Sequence, residues 1–269
     1  MLLELLTYLT TPCPQWARRH GYLTHAIALQ ERHRRCRRVW TNHAEHCRRL
    51  ILESAALCRS RRKAIILGSG LLFEIPLSAL AEQFETIILV DVIHLRSSHN
   101  LARAVSKRFP STRIYFEHAD LTGLAAPLPA WLTKDGFDFA VSSCLLSQLP
   151  LVPLDRLCSS FPLNQTTDAI KKEERRLAQE LIHNHLILLN KIAKTVCLIT
   201  DVESIRKPLG AQSTEPIEPP LDLLWGVSLP PPDQSWQWII APSPEDDQNF
   251  DRIASVTGYR DFTLSPNKK

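Results

Sequence analysis

Apolar runs and short polar breaks alternate through the middle of the chain. Residues 64–67 are a continuous apolar run, typical of a parallel strand that helices cover on both faces, and residues 86–90 form a second run that predicts a buried strand. Gly68-Ser69-Gly70 interrupts the first run, and the apolar spacing predicts a helix over 73–83. Asp91 follows the second run. The pattern therefore predicts strand, glycine turn, helix and strand, which is half of a nucleotide-binding unit.

The alternation continues on both sides of this unit, without internal repeats. The further predicted elements are a short docked helix over 1–6, a helix with a weakly apolar stripe over 36–57, a helix over 100–109, a strand over 113–121, a strand from 137 followed by a loop of small residues, a loop over 151–167, a helix over 168–193, a strand over 195–200, a surface excursion over 203–220, paired strands over 221–227 and 236–241, a helix over 251–257 and a strand over 259–264.

The residues at the ends of the strands are candidates for ligand binding. Glycines there let the backbone approach a ligand, and a carboxylate such as Asp91 can accept hydrogen bonds from both hydroxyls of a ribose. Acids at strand ends also cap helices, and Asp120 before Leu-Thr-Gly fits a turn. Dinucleotide enzymes and S-adenosylmethionine-dependent methyltransferases share such half-units, so the glycines alone leave both open.

Four landmarks in order give the chain a family resemblance over about residues 63–262. The glycine turn, Asp91, Asp120 and the small-residue loop resemble the motifs of class I, Rossmann-like S-adenosylmethionine-dependent methyltransferases. The resemblance implies an α/β fold with a three-layer, mostly parallel Rossmann-like sheet, a C-terminal antiparallel hairpin and an N-terminal helical extension. The implied cofactor-binding residues are Gly68, Ser69 and Gly70 facing the methionine moiety, Asp91 and Val92 at the ribose, Asp120 and Leu121 at the adenine, and Ser142 and Ser143 near the sulfonium.

The implied reaction is methyl transfer from S-adenosylmethionine to an unidentified acceptor. This is an in-line displacement in which positioning supplies much of the acceleration, so few side chains need to react. No catalytic residue is identified. The candidates that would orient an acceptor are His118, Ser143, Ser147, Gln148 and Asp155, whereas Cys144 is interpreted as a packed residue rather than a nucleophile.

Two positions depart from the family pattern. Ile66 stands where the family has an acid, and Leu72 stands at the third glycine. These departures motivate an alternative, a catalytically inactive scaffold or interaction protein that still binds the cofactor. A nicotinamide or nucleotide-sugar enzyme is a weaker alternative, because neither a Tyr-x-x-x-Lys pair nor a full GxGxxG is present.

Length and composition agree with a globular protein of one or two domains. The chain has 269 residues, 44% of them hydrophobic, and the predicted division is a basic helical extension over 1–62 and a methyltransferase domain over 63–269. Seven cysteines, an odd number with no CxxC pair, favour a reducing cytoplasm. No apolar run is long enough to predict a transmembrane segment.

Positive charge is concentrated at the N-terminus. Residues 1–63 contain thirteen Lys or Arg and four acids, a net charge of +9, although the whole chain carries only +4. The region from Arg34 to Arg38 is a candidate nucleic-acid contact. A solvated or self-pairing helix face is favoured instead, because no aromatic residues interleave with the arginines to stack on bases.

The same predicted helix carries candidate metal ligands. They are His33, Cys36, His43, His46 and Cys47. His43 and Cys47, four residues apart, would share a helix face. A second ligand pair beyond a turn is missing, and His43 lies on the apolar stripe, so we expect no metal site.

Overall fold

The computed structural model describes residues 2–134, 136–159, 168–209 and 218–264. These residues form an α/β fold. Within them, the helices are α1 (Leu2–Thr10), α2 (Gln15–Arg19), α3 (Tyr22–Ala56), α4 (Leu77–Ala81), α5 (Arg96–Arg108), α6 (Ala130–Lys134), α7 (Leu151–Ser159) and α8 (Asp168–Ile192). The strands are β1 (Lys63–Leu67), β2 (Thr86–Asp91), β3 (Arg113–His118), β4 (Phe137–Ser143), β5 (Ala193–Pro208), β6 (Leu221–Asp222), β7 (Gln234–Ala241) and β8 (Phe250–Tyr259).

The strands form one mixed sheet in the order β3-β2-β1-β4-β5-β8-β7, with β6 paired to β5. The first five strands in this order are parallel, whereas β8 runs antiparallel between β5 and β7. Every residue of β4 is buried, as expected for a central parallel strand that helices cover on both faces. A mostly parallel sheet with a C-terminal antiparallel hairpin and N-terminal helices confirms the predicted fold class.

The helix predicted over 73–83 is shorter in the structure. Helix α4 begins only after Pro76 and ends at Ala81. Residues 71–76 form turns instead, because a proline in a helix interior removes a backbone donor and clashes with the preceding turn. Leu72 within these turns has a positive φ of 62°. The glycine turn therefore leads into an irregular segment before the helix.

The C-terminal part contains the largest errors of prediction. The helix predicted over 251–257 is wrong, because these residues belong to β8 and pair on both sides with other strands. Residues 221–227 do not pair with 236–241: β6 is a two-residue strand beside β5, and β7 pairs with β8. Of the strand predicted over 259–264, only Tyr259 is in a strand.

Two predicted irregular segments are partly regular. The loop predicted over 151–167 contains α7, and residues 160–167 lie outside the described residues. The excursion predicted over 203–220 begins inside β5, which continues to Pro208, while residues 210–217 lie outside the described residues.

The long helix α3 packs directly on the sheet. Its buried stripe follows the predicted spacing through Cys36, Trp40, His43, Cys47 and Leu50. Trp40, Cys47 and Leu50 belong to the same apolar core as strands β1 and β4 and the C-terminal hairpin. The division into segments 1–62 and 63–269 stays a prediction. In the described parts of the chain, no helix has the length and apolar character needed to cross a membrane.

Candidate cofactor and active-site cavity

A cavity of about 600 Å³ opens at the carboxyl ends of the parallel strands. Its walls come from the segments that follow β1, β2, β3 and β4, and α3 closes one side through residues such as Ala26 and Leu29. Ligands of open α/β sheets bind at this edge, because connections on the two faces diverge there. The size is within the range of small-molecule sites.

The glycine turn after β1 forms one wall of the cavity. Gly68 has a φ of 67°, and a Cβ added to it would lie 2.9 Å from Leu145. Gly70 has a φ of 49°, and a Cβ there would meet nothing closer than 3.8 Å. Gly68 is therefore required by packing as well as by its left-handed conformation, whereas Gly70 is required by its conformation. Ser69, which also lines the cavity, ties the turn to β2 through its amide, which donates to the Val90 carbonyl at 3.0 Å.

Asp91 joins the glycine turn to the end of β2. Its Oδ2 accepts the Gly70 N–H at 2.7 Å, and its Oδ1 accepts the Val92 N–H at 2.7 Å. Burial raises the pKa of Asp91 above its ordinary value, although the backbone donors oppose the shift. Asp91 and Val92 both line the cavity, on the same side as the turn.

Asp120 and Leu121 line the cavity after β3. The Asp120 carboxylate organises its own loop: Oδ1 accepts the Thr122 N–H at 3.0 Å and the Thr122 hydroxyl at 2.6 Å, and Oδ2 accepts the Ala125 N–H at 2.7 Å. Asp120 therefore forms a turn with the residues that follow it, as its place before Leu-Thr-Gly in the sequence suggested. Its predicted contact with adenine stays a prediction.

The two serines at the end of β4 point in different directions. Ser143 lines the cavity and donates its hydroxyl to Glu74 Oε2 at 2.7 Å. Ser142 is fully buried, pairs with His185 Nε2 at 3.0 Å and is not among the lining residues. Successive residues of a strand face opposite sides of the sheet, so only one of the pair faces the cavity.

The sequence did not indicate the buried polar cluster beside this wall. It consists of His43 and Cys47 from α3, Glu74 from the segment after β1, and Cys144 after β4, with their ligand atoms within 4.8 Å of one another. We call these four residues the polar cluster. Glu74 and Cys144 also line the cavity. A signal existed in Glu74, the one charged residue in an otherwise apolar stretch over 71–77, but its partners are distant in sequence.

Hydrogen bonds determine the protonation of the polar cluster. His43 Nε2 lies 3.0 Å from Glu74 Oε1, and the Trp236 indole N–H donates to His43 Nδ1 at 3.0 Å. Burial opposes ionisation of Glu74, but the hydrogen bonds from His43 and Ser143 lower its pKa below the ordinary value. The pKa of Cys144 is well above the ordinary value, because Cys144 forms a hydrogen bond with Cys47, is buried and lies near the charge of Glu74. Glu74 is therefore ionised and Cys144 is a thiol at neutral pH.

The protonation of His43 follows from its partners. Burial lowers the pKa of His43, while Cys144 and Glu74 raise it. The contribution of Cys144 requires a thiolate, which a thiol with a raised pKa does not supply at neutral pH. The indole N–H of Trp236 also needs an unprotonated Nδ1 as its acceptor. We therefore assign His43 the neutral form, which donates from Nε2 to Glu74.

The two departures from the family pattern have different structural roles. Ile66 is fully buried in the middle of β1, inside the core. Leu72 adopts a left-handed backbone conformation that favours glycine, and its side chain is buried. The segment after β1 therefore retains a left-handed residue at the third glycine position, at a cost of about 1 kcal/mol in backbone strain.

The basic face of α3 is partly neutralised by acids of the same chain. Arg32 pairs with Asp246 at 2.8 Å, and Arg35 pairs with Glu245 at 2.6 Å. Arg34 pairs with Glu31 one turn earlier, at 3.0 Å. The predicted self-pairing is therefore present at these three arginines, and the nucleic-acid contact stays a prediction.

No protein-family model and no curated protein matches the chain. Among solved structures, an O-methyltransferase family protein from Burkholderia thailandensis is 15% identical with a TM-score of 0.34, covering 62% of this chain and 39% of that one. The bifunctional kinase-methyltransferase WbdD is 15% identical with a TM-score of 0.38, covering 84% and 41%. PKMT2 from Rickettsia typhi, in complex with AdoHcy, is 13% identical with a TM-score of 0.30, covering 64% and 26%.

This chain spans less than half of the length of each of these three proteins. The sheet order, with five parallel strands and a C-terminal antiparallel hairpin, is that of a Rossmann-like α/β fold.

Proposed function

We propose that this chain binds S-adenosylmethionine in the cavity and transfers its methyl group to an acceptor that has not been identified. The observation that carries the proposal is the pairing of the glycine turn with Asp91 on one cavity wall, through the hydrogen bond from Gly70 N–H. This pairing places the glycine turn, whose backbone a ligand can approach closely, beside a carboxylate at the carboxyl edge of a parallel sheet.

The residues of this wall fit the proposed cofactor. Asp91 Oδ2 accepts one hydrogen bond, from the Gly70 N–H, so its second lone pair can accept a ribose hydroxyl, whereas Oδ1 already accepts the N–H groups of Val92 at 2.7 Å and Ile93 at 3.4 Å. Gly70 lines the cavity, and a Cβ there would make ordinary contacts with the Gly68 carbonyl oxygen at 3.8 Å and with Asp91 Oδ2 at 4.0 Å.

When bound, S-adenosylmethionine supplies an electrophilic methyl group on a positively charged sulfur. The residues of the chain bind and orient the reactants. Asp91 and Val92 hold the ribose end, Asp120 and Leu121 border the adenine, and Ser143 lies on the wall nearest the expected sulfonium. Residues of α3 such as Ala26 and Leu29 cover one side of the cavity, which supports an in-line displacement that depends on positioning.

Calorimetric titration of the purified chain with S-adenosylmethionine and, separately, with NAD tests the proposal. We expect binding of S-adenosylmethionine that Asp91→Ala weakens by roughly 10- to 150-fold, because a hydrogen bond to a charged group contributes about 1.5–3 kcal/mol. The matched control is Glu117→Ala on β3, an acid that is not among the lining residues.

Unchanged affinity of Asp91→Ala would refute the ribose assignment. Binding of NAD in place of S-adenosylmethionine would refute the choice of cofactor. Binding of S-adenosylmethionine without methyl transfer to any acceptor in a screen would favour the noncatalytic alternative that Ile66 and Leu72 motivate.

A further inference from the structure

Three polar atoms converge on one nitrogen in the polar cluster. His43 Nε2 lies 3.5 Å from Cys47 Sγ, 3.7 Å from Cys144 Sγ and 3.0 Å from Glu74 Oε1. A ring nitrogen has either one proton or one lone pair, so it can satisfy only one of these neighbours by a hydrogen bond. The hydrogen bond with Glu74 therefore uses this nitrogen, and the two sulfurs lie near it without a hydrogen bond to it.

The three distances from His43 Nε2 are close to the edges of a tetrahedral metal site, and all four donor atoms lie within 4.8 Å of one another. With Zn–S near 2.3 Å and Zn–N near 2.0 Å, tetrahedral angles separate a sulfur and a nitrogen ligand by about 3.5 Å. The two measured S···N distances are 3.5 and 3.7 Å. The N···O distance of 3.0 Å is slightly below the roughly 3.3 Å of such a site, as expected while a hydrogen bond joins the two atoms.

The chemistry of the four donors favours zinc. One imidazole, two cysteine sulfurs and one carboxylate are the ligands that Zn²⁺ takes in tetrahedral sites, whereas magnesium and calcium prefer oxygen alone. All four residues are buried, and the cysteines are free thiols. We propose that His43, Cys47, Glu74 and Cys144 bind one Zn²⁺ ion in the wall of the cavity.

The ion would connect three separate parts of the fold. His43 and Cys47 belong to α3, Glu74 to the segment after β1, and Cys144 follows β4. With four protein ligands the site is closed, which is typical of structural zinc. Zinc would thus hold the N-terminal helix against the sheet where they share the cavity wall. This proposal does not depend on methyl transfer, because it rests on the geometry of the donors.

Trp236 and Trp238 have opposite effects on the ion. The Trp238 ring stacks on the His43 ring at 3.9 Å and holds its orientation. A metal on Nε2 leaves the ring proton on Nδ1, where the Trp236 indole N–H would then face another donor. The indole must turn away on metal binding, so Trp236→Phe should bind zinc more tightly than the unmodified chain.

The test uses the full chain without an affinity tag, cleared of metal with a chelator and titrated with Co²⁺ and then Zn²⁺. We expect one ion per chain, a thiolate-to-cobalt charge-transfer band with the strong d–d absorption of tetrahedral cobalt, and displacement of cobalt by zinc. Cobalt bound without a thiolate band, or no binding of either ion, would overturn the proposal. This readout from the unmodified chain needs no variant to fold.

Variants then assign the ligands. Cys144→Ser should reduce the charge-transfer band and weaken zinc binding by about tenfold or more, since even the outer partners of metal ligands contribute 10–100-fold. The matched control is Cys36→Ser. Cys36 is a buried cysteine about three turns before Cys47 on α3, and its substitution should leave zinc binding unchanged. Equal zinc affinity in the two variants, each checked for folding by circular dichroism, would refute the assignment.

Discussion

At Gly258 the C-terminal hairpin packs closely against helix α3. A Cβ added to this residue of β8 would lie 2.3 Å from Leu50 Cδ2 of α3 and 3.2 Å from Trp236 Cζ3 of β7. Leu50 is fully buried in the central core. Gly258→Ala therefore inserts a methyl group into space that α3 already fills.

The expected cost follows from overpacking. An extra methyl group in a well-packed core costs about 1–3 kcal/mol, and at 2.3 Å the Leu50 side chain must leave its rotamer or α3 must move. For a chain of this length each kcal/mol lowers the Tm by about 2–4 °C. We expect Gly258→Ala to lower the free energy of unfolding by about 1–3 kcal/mol.

Urea unfolding followed by circular dichroism measures this change, with Gly136→Ala as the control. A Cβ at Gly136 would meet nothing within 4 Å, so that variant should lie within about 0.5 kcal/mol of the unmodified chain. In a Leu50→Ala background, Gly258→Ala should lose most of its cost because the methyl then has room. Additive effects of the two substitutions would refute the direct contact between α3 and β8.

Two further predictions concern charged groups. Asp138 is buried and accepts hydrogen bonds from Lys194 at 3.1 Å and from two amides before and at the start of β1, and these outweigh burial and lower its pKa below the ordinary 3.8. Because the folded pKa is lowered, the stabilisation by Asp138 is present above pH 3.8 and is lost as pH falls through the folded value. In urea unfolding, Asp138→Asn should lower the free energy of unfolding by about 1–3 kcal/mol at pH 7 and by less below pH 4. A difference independent of pH would contradict this. Arg35→Ala should change the free energy of unfolding by less than about 1 kcal/mol despite the 2.6 Å pair with Glu245, because the arginine side chain is 55% exposed; a larger loss in the same assay would show a coupled network.

The parallel half of the sheet could be predicted because its signals are local. The apolar runs of β1 and β2, with the glycine turn between them, identify the strands without knowledge of their neighbours. The stripe of α3 was likewise predicted through Trp40 and Cys47, although Leu57 at its end is 53% exposed. An apolar run or stripe shows which residues of a short segment are buried, so it can be read from that segment alone.

Strand β8 was predicted as a helix because its local pattern is ambiguous. Ile253, Ala254 and Val256 are all buried, and a spacing of three fits one helix face as well as a strand covered on both faces. Only the pairing with β5 and β7 decides between these structures. The pairing partners are distant in sequence, so the segment alone does not contain the deciding information.

The polar cluster was missed for a related reason. His43 and Cys47 were noted as neighbours on one helix face, but Glu74 and Cys144 come from other parts of the chain. Each residue alone has an ordinary structural interpretation, such as a packed thiol or a buried histidine. Only the folded topology brings a helix, a turn and a strand end to one point. The contact of Asp91 with Gly70 was easier to anticipate, because parallel neighbouring strands end at the same edge.

The docking of α3 on β7 and β8 has a consequence for how the protein is made. The ribosome produces α3 before any strand of the described sheet, whereas β7 and β8, which cover part of its apolar side, follow the other described strands. Trp40, Cys47 and Leu50 therefore lack part of their final covering while most of the sheet is translated. Chains with uncovered apolar surface of this kind are substrates for chaperones during synthesis. The part of the core between α3 and the C-terminal hairpin is therefore completed only after β8 has been made.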